Sequence, residues 1–187
     1  MTRLFLIRHG DAYDEEGLQV DDSPLNNFGK IQALQLAKRL KHNRFDMMYC
    51  SRIRRSMETC EIVNEHHKMK VNYTARLNEV GTDTWPQPGI KSVQSDLKDY
   101  SEATKKIYKT FREIAESNLN NEVIVFTHGN WIRVLLTKIL ANGDPKTFIH
   151  FVVHHTSLNI IDVDDFGFEH IITFSDAAHT QLYETRI

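Results

Sequence analysis

Two short apolar segments of this chain each end in a histidine followed by a glycine. Residues 4–8 lead into His9 and Gly10, and residues 123–127 lead into His128 and Gly129. With 10 His and 8 Gly among 187 residues, composition predicts about 0.4 His-Gly pairs, so chance does not explain two pairs at matching places. Continuous apolar runs of this kind are typical of central strands in a parallel sheet, where ligands bind beyond the carboxyl ends of the strands. We therefore expect both imidazoles to face one crevice.

Strand-like and helix-like patterns alternate along the rest of the chain, which is typical of an α/β fold. The expected strands are 3–8, 46–50, 70–74, 122–127, 157–163 and 168–174, and the expected helices are 28–41, 53–67, about 101–118 and 130–141. Two loops are expected to shape substrate choice, namely 11–24 and 81–95 around Trp85.

The first helix has the clearest pattern. Ile31, Leu34, Ala37 and Leu40 recur three residues apart, and Asn26 or Asn27 is available as the N-cap. The last helix follows His128 directly, so its first free N–H groups, from Asn130 onward, are expected to point at the ligand of that histidine.

Length and composition favour a single domain over residues 1–187, because 41% hydrophobic residues suffice for one core. A net charge of -2 gives no general attraction to nucleic acid or to an anionic membrane. Residues 4–7 are too few for the core of a signal peptide, and no segment approaches the ~18 apolar residues of a membrane span. The sequence thus predicts a soluble, cytoplasmic protein, in which Cys50 and Cys60 are buried thiols.

The two histidines suit phosphoryl transfer. A neutral imidazole whose other nitrogen is held by a hydrogen bond can attack phosphorus, and His9 is the expected nucleophile. The negative charge of the transferred group requires fixed cations around it. Arg8 and His128 are candidates, and the arginine-rich segment 50–59 opens a helix just beyond another expected strand.

In its order of motifs the chain resembles the histidine phosphatase superfamily, also called the phosphoglycerate mutase-like family. The matching elements are R-H-G at residues 8–10, Leu25 to Gly29 against L-T-x-x-G, Ser51 to Thr59 against S-P-L-x-R-A-x-x-T, residues 77–79 against L-x-E, and residues 127–129 against S/T-H-G. These elements extend from residue 3 to about 160 in family order. R-H-G alone is a weak signal, but five elements in sequence are specific.

The resemblance implies a three-layer α/β/α sandwich with a mostly parallel central sheet, and phosphoryl transfer without a metal or another cofactor. The implied catalytic residues are His9 as the phosphorylated nucleophile, Glu79 as the acid that protonates the leaving oxygen, and His128 as the second histidine. The implied phosphate-binding residues are Arg8, Arg55 and Gly129. The implied reaction is hydrolysis of a phosphomonoester in a small metabolite or a phosphoprotein.

The chain departs from the family pattern in two places. Where many members carry E-[ST] and then an asparagine, this chain has Asp11, Ala12 and Glu15, so loop 11–24 is expected to be arranged differently. The E-R-x-Y-G segment that glycolytic mutases use to bind sugar phosphate does not follow Glu79, which weighs against mutase activity. A mutase-type isomerase, a phosphohistidine protein phosphatase and a non-catalytic phosphate-binding module stay as alternatives to the hydrolase.

The other charged residues favour ordinary roles. Arg52 and Arg54 are expected to be exposed, and a solvated helix charge is the alternative role for Arg55. His154 and His155 lie with His150 on an apolar stretch without carboxylates at ligand spacing, so a metal site is not favoured there. The sequence leaves open the substrate, the oligomeric state and the role of His155.

Overall fold

The computed structural model describes residues 1–81 and 94–180, and its centre is a six-stranded sheet. The strands are β1 (Thr2–Arg8), β2 (Met47–Cys50), β3 (Val71–Tyr73), β4 (Glu122–Thr127), β5 (Leu158–Val163) and β6 (Glu169–Asp176). Their order across the sheet is β3-β2-β4-β1-β5-β6. Three neighbouring pairs are parallel, and the two pairs that involve β5 are antiparallel. Every expected strand is thus present, with ends that differ by at most two residues.

Helices cover both faces of the sheet. They are α1 (Asn27–Leu40), α2 (Arg54–His67), α3 (Gln94–Glu116), α4 (Gly129–Ala141) and the short α5 (Pro145–Phe148), with a 3-10 turn at Ala75–Leu77. Successive side chains of β1 point to opposite faces. Leu4 and Leu6 join a core with α3 and α4, whereas Phe5 and Ile7 join a second core with α1 and α2. The expected three-layer α/β/α arrangement is confirmed.

The sheet order brings several chain segments to one edge. β1 and β4 are parallel with Arg8 opposite Thr127, and β4 and β2 are parallel with Phe126 opposite Cys50, so their carboxyl ends lie together. β5 runs antiparallel to β1, which places the residues that precede β5 at the same edge. This edge is the crevice that the two His-Gly pairs predict.

Close backbone packing joins the loop after β1 to the start of α1. A Cβ atom at Gly10 would lie 2.5 Å from the carbonyl oxygen of Gly29, and a Cβ atom at Gly29 would overlap the carbonyl oxygen of Asp11. Asn26 is the N-cap of α1, and its side-chain oxygen accepts a hydrogen bond from the backbone N–H of Gly29 over 2.8 Å. Only glycine permits these approaches, so α1 begins directly on the loop that carries His9.

The buried stripe of α1 contains only part of the apolar pattern that predicts the helix. Ile31 and Leu34 are 48% and 57% exposed. The buried apolar positions are Ala33, Leu36, Ala37 and Leu40. Because a helix has 3.6 residues per turn, a stripe that mixes steps of three and four stays on one face, and a run of threes turns away from it.

The helices beyond β3 also differ from expectation. α3 begins at Gln94 and not near 101, because the apolar spacing of Ile107 and Phe111 continues back to the buried Tyr100. α5 was not expected, and Asp144 caps it by accepting a hydrogen bond from the N–H of Lys146. Most of the expected loop 81–95, including Trp85, lies outside the described residues.

Cys50 and Cys60 are free thiols that are fully buried, as predicted. Among the described helices, none combines the length and the apolar character that a membrane crossing requires.

Candidate active site

Three histidines from separate segments meet at the edge of the sheet. The ring centroids of His9 and His128 lie 5.0 Å apart, and those of His9 and His155 lie 5.5 Å apart. Each residue is buried, with at most 4% of its surface exposed. The predicted meeting of His9 with His128 thus follows from the pairing of β1 with β4, and His155 is a third member that the sequence left unassigned.

Both ring nitrogens of His9 are engaged. Nδ1 lies 2.7 Å from the carbonyl oxygen of Gly10, and because a carbonyl oxygen can only accept, Nδ1 carries the proton. Nε2 therefore holds the lone pair, and it accepts a hydrogen bond from the Nε–H of Arg55 over 3.1 Å. Burial lowers the pKa of His9 well below its usual range, and nearby groups, His128 first, lower it further. The ring is thus neutral, with Nε2 as its nucleophilic atom.

Arg55 comes from the first turn of α2, just beyond β2. Its Nη1 donates to the carbonyl oxygen of Val20 over 2.9 Å, so loop 11–24 closes on a guanidinium group that is almost fully buried. Burial lowers the pKa of Arg55, and the carboxylates of Glu79 and Asp21 act in the opposite direction. The neighbouring Arg52 and Arg54 are exposed, as expected.

Arg8 is fixed by two acceptors from the segment before β5. Nη1 donates to the carbonyl oxygen of Val153 over 2.5 Å, and Nη2 donates to Nε2 of His155 over 2.6 Å. A guanidinium group cannot accept, so the Nε2 atom of His155 is the acceptor in this contact. A Cβ atom at Gly129 would lie 3.2 Å from Nε of Arg8. The glycine therefore gives Arg8 room, and a direct contact between Gly129 and phosphate stays a prediction.

Glu79 lies at the N-terminus of α4. Its carboxylate accepts hydrogen bonds from the backbone N–H groups of Val80 over 3.1 Å, Trp131 over 3.2 Å and Asn130 over 3.4 Å. The expectation that Asn130 would point at the ligand of His128 was therefore wrong, because Glu79 takes this N–H group. Burial raises the pKa of Glu79, although these hydrogen bonds and Arg8 act against the increase. Glu79 keeps part of its surface accessible, as an acid that meets a leaving group must.

His128 stands between β4 and α4, and it contacts the hydroxyl group of Ser51. The distance from its Nε2 to Oγ of Ser51 is 2.8 Å. Burial is the main reason that the pKa of His128 lies well below its usual range, and the charges of Arg55 and Arg8 lower it further. The ring is therefore neutral until negative charge arrives beside it.

Sequence reasoning missed three residues of this site, namely His155 within the cluster, Ser51, which contacts His128, and Asn78, which contacts Ser51. His155 reaches the cluster because the chain enters β5 beside the end of β1, where the N–H of Thr156 donates to the carbonyl oxygen of Arg8 over 3.0 Å. Ser51 and Asn78 were overlooked although each adjoins a predicted element. Ser51 is the first residue after β2, and Asn78 directly precedes Glu79. Position at a strand end was therefore the signal for Ser51.

The acidic residues of the first loop do not join the histidines. The N–H of Asp11 donates to Oε1 of Gln32 over 2.8 Å, and Oδ1 of Asp11 accepts from the N–H of Tyr13 over 3.0 Å. Asp11 thus shapes the turn, and Glu15 is exposed. The ring of Tyr13 approaches that of His155 edge-on, with 6.1 Å between centroids. The loop therefore contributes Tyr13 and the carbonyl group of Val20 to the rim of the site.

The described residues, 1–81 and 94–180, contain no group of three or more His, Cys, Asp or Glu side chains that could hold a metal ion. The geometry provides a neutral imidazole whose lone pair faces Arg55, two fixed guanidinium groups, a second neutral imidazole and an acid whose pKa is raised. These groups can transfer a phosphoryl group and protonate its leaving group.

Comparison with known proteins identifies the family of this chain. The family model described as histidine phosphatase superfamily (branch 1) matches residues 4–104 and 82–173. A probable phosphatase of Schizosaccharomyces pombe is 29% identical over 98% of this chain and 97% of its own length. A metal-independent phosphoserine phosphatase of Arabidopsis thaliana is 24% identical over 96% of this chain and 83% of its own length.

Solved structures show the same fold. The phosphoserine phosphatase of Entamoeba histolytica, crystallised with 3-phosphoglyceric acid, matches with a TM-score of 0.80 at 22% identity, over 96% of this chain and 99% of that chain. A phosphoglycerate mutase of Bacillus anthracis matches with a TM-score of 0.77 at 20% identity, over 95% of this chain and 94% of that chain. The family match extends over most of the residues that carry the motifs. The chain therefore belongs to the histidine phosphatase superfamily and is a phosphoric monoester hydrolase.

Proposed function

We propose that the protein hydrolyses a small phosphomonoester without a metal ion, through a phosphoryl group carried on Nε2 of His9. The observation that carries this proposal is the hydrogen bond between Nδ1 of His9 and the carbonyl oxygen of Gly10 over 2.7 Å. It leaves the lone pair on Nε2, the atom that faces Arg55. When Nε2 attacks, the new P–N bond forms as the bond from phosphorus to the leaving oxygen breaks.

Side-chain cations meet the charge of the transferred group. Arg8 is held by Val153 and His155, and Arg55 by Val20, so both guanidinium groups are oriented before the substrate arrives. Preorganised cations in a buried site stabilise the charge that spreads onto the equatorial oxygens of the transition state. This arrangement supports metal independence, a property that the name of the Arabidopsis relative states for that protein.

Glu79 is the proposed acid and base. In the first step its carboxyl group protonates the leaving oxygen, and in the second step the resulting carboxylate accepts a proton from the water that attacks the phosphohistidine. Burial, which raises its pKa, keeps the carboxyl group protonated further toward neutral pH. Its hydrogen bonds to the start of α4 fix its position.

A small phosphorylated metabolite is the proposed substrate. One relative is named a phosphoserine phosphatase, and another, from Escherichia coli, is named an adenosylcobalamin/α-ribazole phosphatase. After dialysis against EDTA, phosphate release is measured with p-nitrophenyl phosphate, phosphoserine, 3-phosphoglycerate, α-ribazole phosphate and a phosphohistidine protein, with His9→Ala as the inactive control. We expect turnover of at least one small ester without added metal.

The other outcomes of this panel separate the alternatives. Preference for the phosphohistidine protein would reassign the enzyme as a phosphoprotein phosphatase. Isomerisation of 3-phosphoglycerate without phosphate release would make it a mutase. Activity that returns only with an added metal ion would contradict the metal-independent mechanism.

We also propose that residues 1–187 form one phosphatase domain. All six described strands belong to one sheet, which supports this. A cytoplasmic location stays a prediction from the sequence.

A further inference from the structure

A series of hydrogen bonds connects Asn78 to His128 through Ser51. Oγ of Ser51 lies 3.0 Å from Oδ1 of Asn78 and 2.8 Å from Nε2 of His128. The backbone N–H of Arg52 donates to Oδ1 of Asn78 over 2.9 Å, and the backbone N–H of Ile53 donates to Oγ of Ser51 over 3.1 Å. Ser51 and His128 are fully buried, so each of these polar atoms depends on its protein partners.

The two backbone groups fix the direction of every hydrogen bond in this series. The N–H of Arg52 can only donate, so the Asn78 atom that faces it is the oxygen and not the nitrogen. That oxygen cannot donate to Ser51, and the single hydroxyl proton of Ser51 therefore goes to Asn78. Oγ of Ser51 then accepts from Ile53 and from His128. It follows that Nε2 of His128 carries a proton.

We propose that Asn78 and Ser51 are positioning residues that hold His128 as the Nε2–H tautomer, so that His128 meets the phosphoryl group through the lone pair of Nδ1. The inference rests on the proposed function of this site. Nδ1 of His128 is buried and has no hydrogen-bond partner within residues 1–81 and 94–180. The rings of His9 and His128 lie 5.0 Å apart, and in this proposal the unpartnered Nδ1 is the atom that meets a phosphoryl group carried on His9.

The tautomer determines which protonation state of the phosphoryl group the site accepts. A neutral His128 in this form cannot donate to a phosphoryl oxygen, so the contact needs one additional proton between that oxygen and Nδ1. The proton arrives on a monoanionic ester or is taken from solvent. The opposite tautomer would donate to a dianion directly, without additional protonation. Asn78 therefore couples phosphate binding to the uptake of a proton.

Nitrogen-15 NMR of histidine-labelled protein tests the tautomer directly. At about pH 8, where the neutral form of histidine dominates, we expect His128, assigned by comparison with His128→Gln, to show a protonated Nε2 and an unprotonated Nδ1. His9 is an internal reference, because Gly10 holds it in the opposite form with its proton on Nδ1. A protonated Nδ1 on His128 in the wild-type enzyme would overturn the inference.

Substitutions at position 78 separate the hydrogen bond from the shape of the side chain. Asn78→Leu removes the acceptor, so the hydroxyl proton of Ser51 can turn to Nε2 and shift His128 to the Nδ1–H form. Asn78→Asp keeps an oxygen toward Ser51 and Arg52, and should keep the wild-type tautomer. Ser51→Ala removes the link even if Asn78→Leu does not fold, and should give a mixture of both forms.

A matched control is Asn64→Leu, because the side chain of Asn64 bonds only the backbone of Met69 among the contacts described at the end of α2. It should leave the tautomer of His128 unchanged. If Ser51→Ala, and Asn78→Leu where it folds, leave the tautomer of His128 unchanged, the network does not set the tautomer and the inference fails.

Activity supplies a second measurement. We expect kcat/KM to fall on the order of 10- to 100-fold in Ser51→Ala and Asn78→Leu, with most of the loss restored in Asn78→Asp. In a Glu79→Gln background, which removes the other acid, binding of inorganic phosphate at about pH 8 should take up a proton, and Asn78→Leu should reduce that uptake. Phosphate binding with no proton uptake in this background would also count against the inference.

The proposed function and the tautomer of His128 are tested by different measurements. The tautomer is measured in the resting protein and does not depend on turnover. An inactive protein with the predicted tautomers would contradict the proposed function and leave the positioning role of Asn78 intact. An active phosphatase with His128 in the Nδ1–H form would do the reverse.

Discussion

The Nε–H group of Arg55 donates to Nε2 of His9 over 3.1 Å, so the guanidinium group covers the lone pair that attacks phosphorus. Gly10 holds the other nitrogen of the same ring, and the imidazole is therefore oriented from both sides. The oxygens of a phosphomonoester carry negative charge and bind a guanidinium group more strongly than a neutral nitrogen does. Substrate entry should therefore move Arg55 from His9 to the phosphoryl group and free Nε2 for attack.

Removal of Arg55 should impair the chemical step and binding together. We expect Arg55→Ala to lower kcat/KM on the order of 10²- to 10³-fold. Arg55→Lys should recover only part of the loss, because an ammonium group lacks the planar set of donors with which the guanidinium group contacts His9 and Val20 at the same time. Arg52→Ala is the matched control, since Arg52 is an exposed arginine in the same segment. Equal activity in Arg55→Ala and Arg52→Ala would remove Arg55 from the mechanism.

Glu79 should matter in proportion to the basicity of the leaving group. An alkyl alkoxide needs a proton as it departs, whereas p-nitrophenolate is stable without one, so Glu79→Gln should lose ~10²-fold or more on alkyl phosphates and much less on the nitrophenyl ester. Because the acid must be protonated and burial raises its pKa, wild-type activity should fall as the pH rises through that raised value. The pH profile of Glu79→Gln should lack this limb. Equal losses on both esters would show that Glu79 only orders the pocket.

His155 should act through Arg8, because its Nε2 accepts from the guanidinium group over 2.6 Å. His155→Gln retains a side-chain acceptor. His155→Leu removes the acceptor of Nη2 of Arg8 and keeps the hydrogen bond from Nη1 to Val153. We expect His155→Leu to lower kcat/KM about 10- to 100-fold through displacement of Arg8, with His155→Gln much closer to wild type. If both variants lose activity equally, the imidazole has a role that an acceptor cannot replace.

The buried neutral histidines should make stability fall on acidification. The pKa of His9 is lowered in the folded protein, so below about pH 6.5 the unfolded chain binds a proton that the folded chain does not, and the free energy of unfolding falls by about 1.4 kcal/mol per pH unit for this residue. The raised pKa of Glu79 has the opposite effect. Above the usual pKa of a glutamate, the folded chain keeps a proton that the unfolded chain has lost, so for this residue the free energy of unfolding rises as the pH falls.

Urea unfolding between about pH 8 and about pH 5 measures this effect of His9. As the pH falls below about 6.5, the wild type should lose more free energy of unfolding than His9→Gln does. His42→Gln replaces an exposed histidine and serves as the control. A difference for His9→Gln that does not change with pH would show that the folded protein protonates His9 normally.

The residues at the ends of parallel strands were predictable from sequence. Apolar runs mark β1 and β4, so His9 and His128 could be placed at one sheet edge before any contact was known. The resemblance of residues 51–59 to a family motif assigned Arg55, which the structure places against Nε2 of His9.

Residues that depend on non-local pairing were not predictable in the same way. His155 reaches Arg8 only because β5 runs antiparallel to β1, and an apolar stretch does not reveal the direction in which it pairs. The tautomer of His128 depends on its contact with Ser51, which lies 77 positions away in the chain. Ser51 in turn contacts Asn78, which lies 50 positions from His128. The apolar pattern of α1 did not reveal its buried face, because the exposed Ile31 and Leu34 continue the three-residue spacing of the buried Ala37 and Leu40.

A phosphohistidine at position 9, formed without a metal ion, is the central claim, and rapid quenching tests it most directly. Wild-type enzyme dialysed against EDTA is mixed with a phosphorus-32-labelled ester that the panel identifies as a substrate, quenched in base, and digested to locate the label. The account predicts label on the peptide that contains His9, stable in base and released in acid as expected for a phosphoramidate, with none in His9→Ala and slower formation in His128→Ala. Label that persists in His9→Ala, or turnover that begins only when a metal ion is restored, would contradict it.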